Sequence, residues 1–179
     1  TSKVGAEGGP EREAGGCSRE NILREVERSL SRLGTDYIDL YFLHRFDPVT
    51  PMEETLGVLD LLVTSGKVRY LGCSNYQAWQ VCKALWLADR MEVGPFVCVQ
   101  NNYNLLNRGL EREMLPLVRD QGLGVMAFSR EEGLTKTTSE SRIPAQALAF
   151  AGDEDYLRRR ILARGGPGRG RRLSPTHNS

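Results

Sequence analysis

LSRLGTDYIDLYFLH, running from Leu30 to His44, decides the fold of this chain. Gly34 stops a helix, Thr35 and Asp36 lead out of it, and an apolar run from Tyr37 to Leu43 reads as a strand closed by a polar residue, His44. The same ending recurs along the chain. Lys3 follows Thr1 and Ser2, Ser74 and Asn75 close Val68–Cys73, Gln100 closes Phe96–Val99, and Ser129 closes Gly124–Phe128. From Lys3 through His44, Ser74, Gln100 and Ser129 the steps are 41, 30, 26 and 29 residues, and each step holds a helical pattern. Strand–helix units of that length predict a parallel sheet. In a parallel barrel the strand ends converge on one face, so five separated segments would deliver one site.

The helices are bounded by local signals. Ser18 is an N-cap, and Ile22, Val26, Leu30 and Leu33 share one face of the helix that Gly34 ends. Thr50 caps the next, with Pro51 at its first position, Glu53 and Glu54 in its first turn and a stop at Gly66. A third is expected from about Tyr76 to Asp89, and a fourth over Leu110–Asp120, interrupted by Pro116. Trp79, Trp86, Leu56 and Leu59 are assigned to packing. Beyond strand 124–128 the pattern decays: Ile143–Phe150 reads as one short helix. Residues 1–150 are thus the folded portion, and 151–179 an Arg/Gly/Pro-rich tail expected to be disordered.

A chain of 179 residues, 40% hydrophobic, buries a core of one domain, whereas a complete eight-stranded barrel needs roughly 250 residues. The fold class expected is therefore α/β, a partial (β/α)8 barrel, with Thr1 inside a strand pointing to truncation. A net charge of +1 gives no global attraction to nucleic acid or to an anionic membrane. The four cysteines have no metal-binding spacing, no apolar run approaches the roughly 20 residues of a membrane helix, and no signal peptide is visible. The expectation is a soluble, cytoplasmic protein.

Several patterns together resemble one family. Leu30-x-x-Leu33-x-x-Asp36-Tyr37-x-Asp39-Leu40-x-x-x-His44, then PMEETL (Pro51–Leu56), SGKVRYLGCSNY (Ser65–Tyr76) and QNNYNLLNR (Gln100–Arg108) are similar to aldo-keto reductases. The last is similar to the branch holding bacterial general-stress reductases and potassium-channel β subunits. The resemblance covers residues 1 to about 129, as strands three to seven of the barrel. It implies NADPH-dependent reduction of an aldehyde or ketone, a small carbonyl compound being the partner. It implies Lys3 and His44 as two of the family's catalytic Asp, Tyr, Lys and His, the other two lying upstream of the lysine strand. It further implies that Ser74, Asn75 and Gln100 bind the nicotinamide carboxamide, that Phe128 stacks on its ring, and that Ser129 opens the pyrophosphate loop. That loop departs from the family, since Glu131 and Glu132 would repel phosphate.

Each residue also has a plainer reading. A lysine near a chain start is ordinarily a solvated charge, a histidine ending a strand is often merely half-buried, and Ser74-Asn75 would also suit a helix N-cap. Tyr41 is expected to point away from His44 by strand alternation, leaving Tyr103 as the nearby phenol able to approach. The rivals to an enzyme are a non-catalytic cofactor-binding or regulatory module, and a non-functional fragment. An open five-strand sheet would leave two edges for self-association.

Overall fold

The computed structural model describes residues 1–5, 16–104 and 106–128. Ser129, the Ile143–Phe150 segment and the expected tail lie outside the described residues. Strands β1 (Ser2–Val4), β2 (Ile38–Leu43), β3 (Val68–Ser74), β4 (Cys98–Asn102) and β5 (Gly124–Phe128) form one sheet in sequence order, every neighbouring pair parallel. Helices α1 (Arg19–Leu33), α2 (Met52–Thr64), α3 (Ala78–Arg90) and α4 (Met114–Gln121) fill the four crossovers. The strands follow one another in sequence order and the helices pack with one sheet face in a single core cluster, which is barrel winding rather than the two-sided winding of an open sheet.

The helices form where the sequence allows and stop where it forbids. Ser18 Oγ accepts from Asn21 N–H at 3.4 Å, and Gly34 ends α1 at φ 63°, where a side chain would be strained. Pro51, not Thr50, is the N-cap of α2; the Thr50 hydroxyl donates instead to Asp47 at 2.7 Å. Ser74 and Asn75 do not cap α3 either. Its N-cap is Gln77, whose N–H is accepted by Gln80 Oε1 at 2.8 Å. Pro116 does not break α4, because it is the third helical residue, where the missing N–H has no partner to lose. The turn before it is a short 3-10 segment, Gly109–Glu111.

Val4, Tyr41, Leu43, Leu71, Cys73 and Val99 face the helix layer and pack with Ile22, Val26, Leu56, Leu59, Leu62, Val81 and Leu85. Burying each such aliphatic side chain stabilises the fold by roughly 1.5–3 kcal/mol. Leu56 and Leu59 thus pack as expected, but Trp79 and Trp86 do not: they stand 55% and 54% exposed on the outer face of α3. The Arg90 guanidinium lies over Trp86, 4.8 Å from its ring centroid, and Trp79 packs edge-on to Phe46. On the opposite side of the sheet, Phe42 is 1% exposed and lies over Gly72, while Tyr70 and Met126 remain 44% and 38% exposed.

Candidate functional site

The parallel register places the candidate residues. Lys3 pairs with Phe42, Phe42 with Gly72, and Gly72 with Cys98, which makes one row across the sheet. Two residues further along, Ser74 pairs with Gln100 and Gln100 with Met126; His44, one past the Leu43–Cys73 pair, is level with Ser74. Alternation sends Lys3, His44, Ser74 and Gln100 to the side away from the helices. The structure therefore brings these four together along the C-terminal edge of one sheet face. Phe128, paired with Asn102, lies two residues beyond Met126 on the edge strand. Gln100 is not the end of its strand, as the sequence suggested, because β4 continues to Asn102.

Backbone hydrogen bonds carry the sheet past its formal ends. His44 N–H donates to Val4 O at 2.7 Å, and Asn75 N–H donates to Gln100 O at 2.9 Å. Asn75 adopts φ 58°, and its Nδ2 donates to His44 O at 3.0 Å and to Ser74 Oγ at 3.2 Å. Ser74 is completely buried, whereas Lys3 is exposed. Among the described residues, Tyr41 Oη, His44 Nδ1, Gln100 Oε1 and Asn101 Oδ1 are buried polar atoms without a hydrogen-bond partner, and those of His44 and Gln100 belong to the candidate row. Such atoms are uncommon in folded proteins and ask for a ligand or solvent partner. Burial, then the positive charges of Lys3 and Arg45, lower the His44 pKa below its ordinary value. The imidazole is accordingly neutral at pH 7, with one nitrogen a donor and the other an acceptor.

Neither tyrosine substitutes for a proton donor at this edge. Tyr41 is fully buried toward the helix layer, and burial pushes its hydroxyl pKa up. Tyr103 is 7% exposed, and its hydroxyl donates to Glu111 at 2.6 Å, which raises its pKa and removes it from consideration. Sequence reasoning also missed Asp47. Its carboxylate accepts Cys17 N–H and Val49 N–H, both at 2.8 Å, together with Thr50 N–H at 3.3 Å and the Thr50 hydroxyl. Burial raises its pKa, but these hydrogen bonds outweigh it and hold the carboxyl below the usual carboxylate value. The signal was an aspartate three residues after His44 with Thr50 three residues further on, a pattern suited to a side-chain-stabilised turn.

A parallel five-strand sheet in sequence order with alternating helices is an α/β fold consistent with part of a (β/α)8 barrel. The model of the aldo/keto reductase family matches residues 1–147, and the chain belongs to that family. It is 45% identical over 114 residues to an aldo-keto reductase of Fusarium vanettenii, covering 64% of this chain and 31% of that protein. It is 44% identical over 114 residues to the uncharacterized oxidoreductase YrpG of Bacillus subtilis, covering 64% and 35%. A versiconal hemiacetal acetate reductase of Aspergillus parasiticus is 42% identical over 114 residues, covering 64% and 33%. The chain thus spans about a third of the length of these relatives.

The family generally uses a nicotinamide cofactor, and the residues present fit its carboxamide. Gln100 Oε1 is an acceptor in want of a donor, which an amide NH2 supplies. Ser74 Oγ accepts from Asn75 and has a proton of its own to donate, but the residue is completely buried. Asn75 is different: its amide nitrogen is already engaged by His44 O and Ser74 Oγ. Ser129 lies outside the described residues. Among those residues no cluster of metal-ligating side chains occurs, and no helix is long and apolar enough to cross a membrane.

Proposed function

We propose that this chain forms the nicotinamide-binding and part of the catalytic edge of an NADPH-dependent carbonyl reductase, which converts an aldehyde or ketone to an alcohol. The observation that carries this reading is the shared row of His44, Ser74 and Gln100, with Gln100 Oε1 and His44 Nδ1 both lacking partners. Bound NADPH would supply the hydride. Ser74 and Gln100 would hold the carboxamide, Asn75 would fix the loop behind them, and Phe128 would offer an aromatic face. His44, neutral at pH 7, would orient a carbonyl oxygen by donating one hydrogen bond. The Lys3 ammonium would stabilise negative charge developing on that oxygen.

A proton must still reach the oxygen, and neither Tyr41 nor Tyr103 is placed to give it. The family's Asp and Tyr precede the lysine strand, so turnover by these residues alone is proposed to be impaired while cofactor binding is retained. That observation favours, as a second reading, a non-catalytic cofactor-binding module. A small carbonyl compound is the proposed partner. Self-association through the β1 and β5 edges is proposed where no further segment covers them. Four free cysteines suit a reducing compartment, and we propose the cytoplasm.

The test is a titration of the chain with NADPH, followed by nicotinamide fluorescence, beside Gln100→Ala. Saturable binding, weakened about three- to tenfold by loss of one hydrogen bond, is expected. A folded chain that binds no NADPH would remove the reading. Binding with carbonyl turnover would favour the enzyme over the module.

A further inference from the structure

Asn75 holds the main chain of the two site residues whose buried polar atoms lack partners, His44 and Gln100. Its backbone N–H donates to the Gln100 carbonyl at 2.9 Å, and its side-chain Nδ2 donates to the His44 carbonyl at 3.0 Å. Nδ2 also donates to Ser74 Oγ at 3.2 Å, so both hydrogens of the amide are engaged. β2 ends at Leu43, which leaves His44 one residue beyond the strand. Val4 O still accepts the His44 N–H at 2.7 Å, from the side of β1. His44 is therefore tied on both sides of its Cα, its N–H to β1 and its carbonyl to the residue that follows β3. With only φ and ψ free at a residue, tying both flanking peptide groups also fixes the Cα–Cβ bond, and that bond aims the imidazole. Asn75 keeps φ 58° in doing so, a conformation asparagine tolerates.

From this geometry we infer that Asn75 is a positioning residue: its side-chain amide, by holding the His44 carbonyl, sets the place of the imidazole relative to Gln100. The inference rests on the proposed function only in calling His44 catalytic. Asn75 acts through the His44 main chain, since the partners of its amide are a carbonyl and a hydroxyl and not the imidazole. Its two attachments are separable. Removing the side chain leaves the Asn75 N–H on Gln100 O and the His44 N–H on Val4 O, so the strands stay paired. What is lost is the anchor on the His44 carbonyl, and with it one of the two ties that aim the ring.

The experiment uses the full chain and follows the His44 imidazole by NMR as pH is varied. The sequence has two histidines, so His44→Ala assigns the resonance. The charged groups bearing on His44 are Lys3 from β1 and Arg45 beside it. Ser74 and Gln100, level with it on β3 and β4, are uncharged, and the Asp47 carboxylate in the same loop is turned to Cys17 and Thr50. Asn75→Gly keeps the left-handed backbone without strain and changes no charge, so a shift of the midpoint reports position. A freed His44 gains solvent and separates from Lys3, and an upward shift is the expected result. Leu62→Ala, in the core at the far end of α2, lowers stability and is expected to leave the midpoint where it is. An unchanged or lowered midpoint in folded Asn75→Gly would overturn the inference, as would an equal rise in Leu62→Ala. Should Asn75→Gly fail to fold, the side-chain amide protons of Asn75 in the unaltered chain decide. Their hydrogen exchange is expected to be slower than in the urea-unfolded chain, and exchange just as fast would overturn the inference. NADPH binding by the unaltered chain is recorded in parallel. Its absence would count against the proposed function, while the His44 comparison would still read the role of Asn75.

Discussion

Asn75 Nδ2 donates to the carbonyl of His44 across 3.0 Å while Asn75 itself holds φ 58°. One residue thus joins the ends of β2 and β3, and through its N–H to Gln100 O it also reaches β4. Asparagine tolerates the left-handed region better than most residues, because its short side chain bonds locally. The prediction is an order of stabilities. Asn75→Gly loses the side-chain bridges but relieves the backbone; Asn75→Ala loses the bridges and pays about 1–2 kcal/mol of left-handed strain. Urea denaturation is expected to rank the parent above Gly and Gly above Ala. An alanine variant as stable as the glycine one would refute this account.

Gly72 is required by a close approach. A methyl group there would lie 2.5 Å from Phe42 Cε1 and 3.1 Å from Cys98 O. Backbone on one side and a fully buried ring on the other leave little room to yield. Gly72→Ala is expected to destabilise by about 1–3 kcal/mol, and Phe42→Leu in the same chain is expected to recover part of that loss. Thermal melts of the single and double variants provide the check.

His44 and Asp47 act in separate pH windows. The folded-state pKa of His44 is lowered, so the unfolded chain binds the proton more readily. Stability is therefore lost as pH falls below the ordinary histidine value of about 6.5. The Asp47 carboxyl is also held low, so its contribution is present above about pH 4 and disappears as pH falls through the folded-state value. His44→Gln is expected to flatten the stability curve below pH 6.5 without touching the acid limb. Urea midpoints measured from pH 8 to pH 3 would expose either error.

The cysteines differ sharply in access. Cys17, Cys73 and Cys98 are buried, and burial raises the pKa of each, that of Cys98 to about 11. Cys82 is exposed on α3. Reaction with an aromatic disulfide reagent under native conditions is expected to label Cys82 rapidly and the other thiols only on unfolding. Two or more fast-reacting thiols in a folded chain would contradict this packing.

Trp79 and Trp86 are expected to emit as solvated indoles and to be readily quenched by acrylamide, since both are more than half exposed. Substituting either with phenylalanine is expected to change stability by less than about 0.5 kcal/mol. A blue-shifted, protected emission would mean that something covers the outer face of α3.

The sequence by itself determined the strand–helix rhythm, the caps and stops at Ser18 and Gly34, and the family. These rest on local chemistry: apolar periodicity, a hydroxyl that accepts backbone N–H, and a glycine that takes φ 63°. It misjudged Thr50, Pro116, Trp79 and Trp86, because each looks the same in sequence whether it caps or turns, breaks or begins a helix, packs or faces solvent. Only the tertiary structure decided those, along with the extension of β4 beyond Gln100. It also decided what meets what. That His44 lies level with Ser74 follows from strand register, which depends on hydrogen bonds between segments 30 residues apart. The Cys17 thiol against the Arg45 carbonyl likewise depends on close packing at one point in space. Local pattern encodes which way a side chain points along its own element; which neighbour it finds there is settled by how the elements pack.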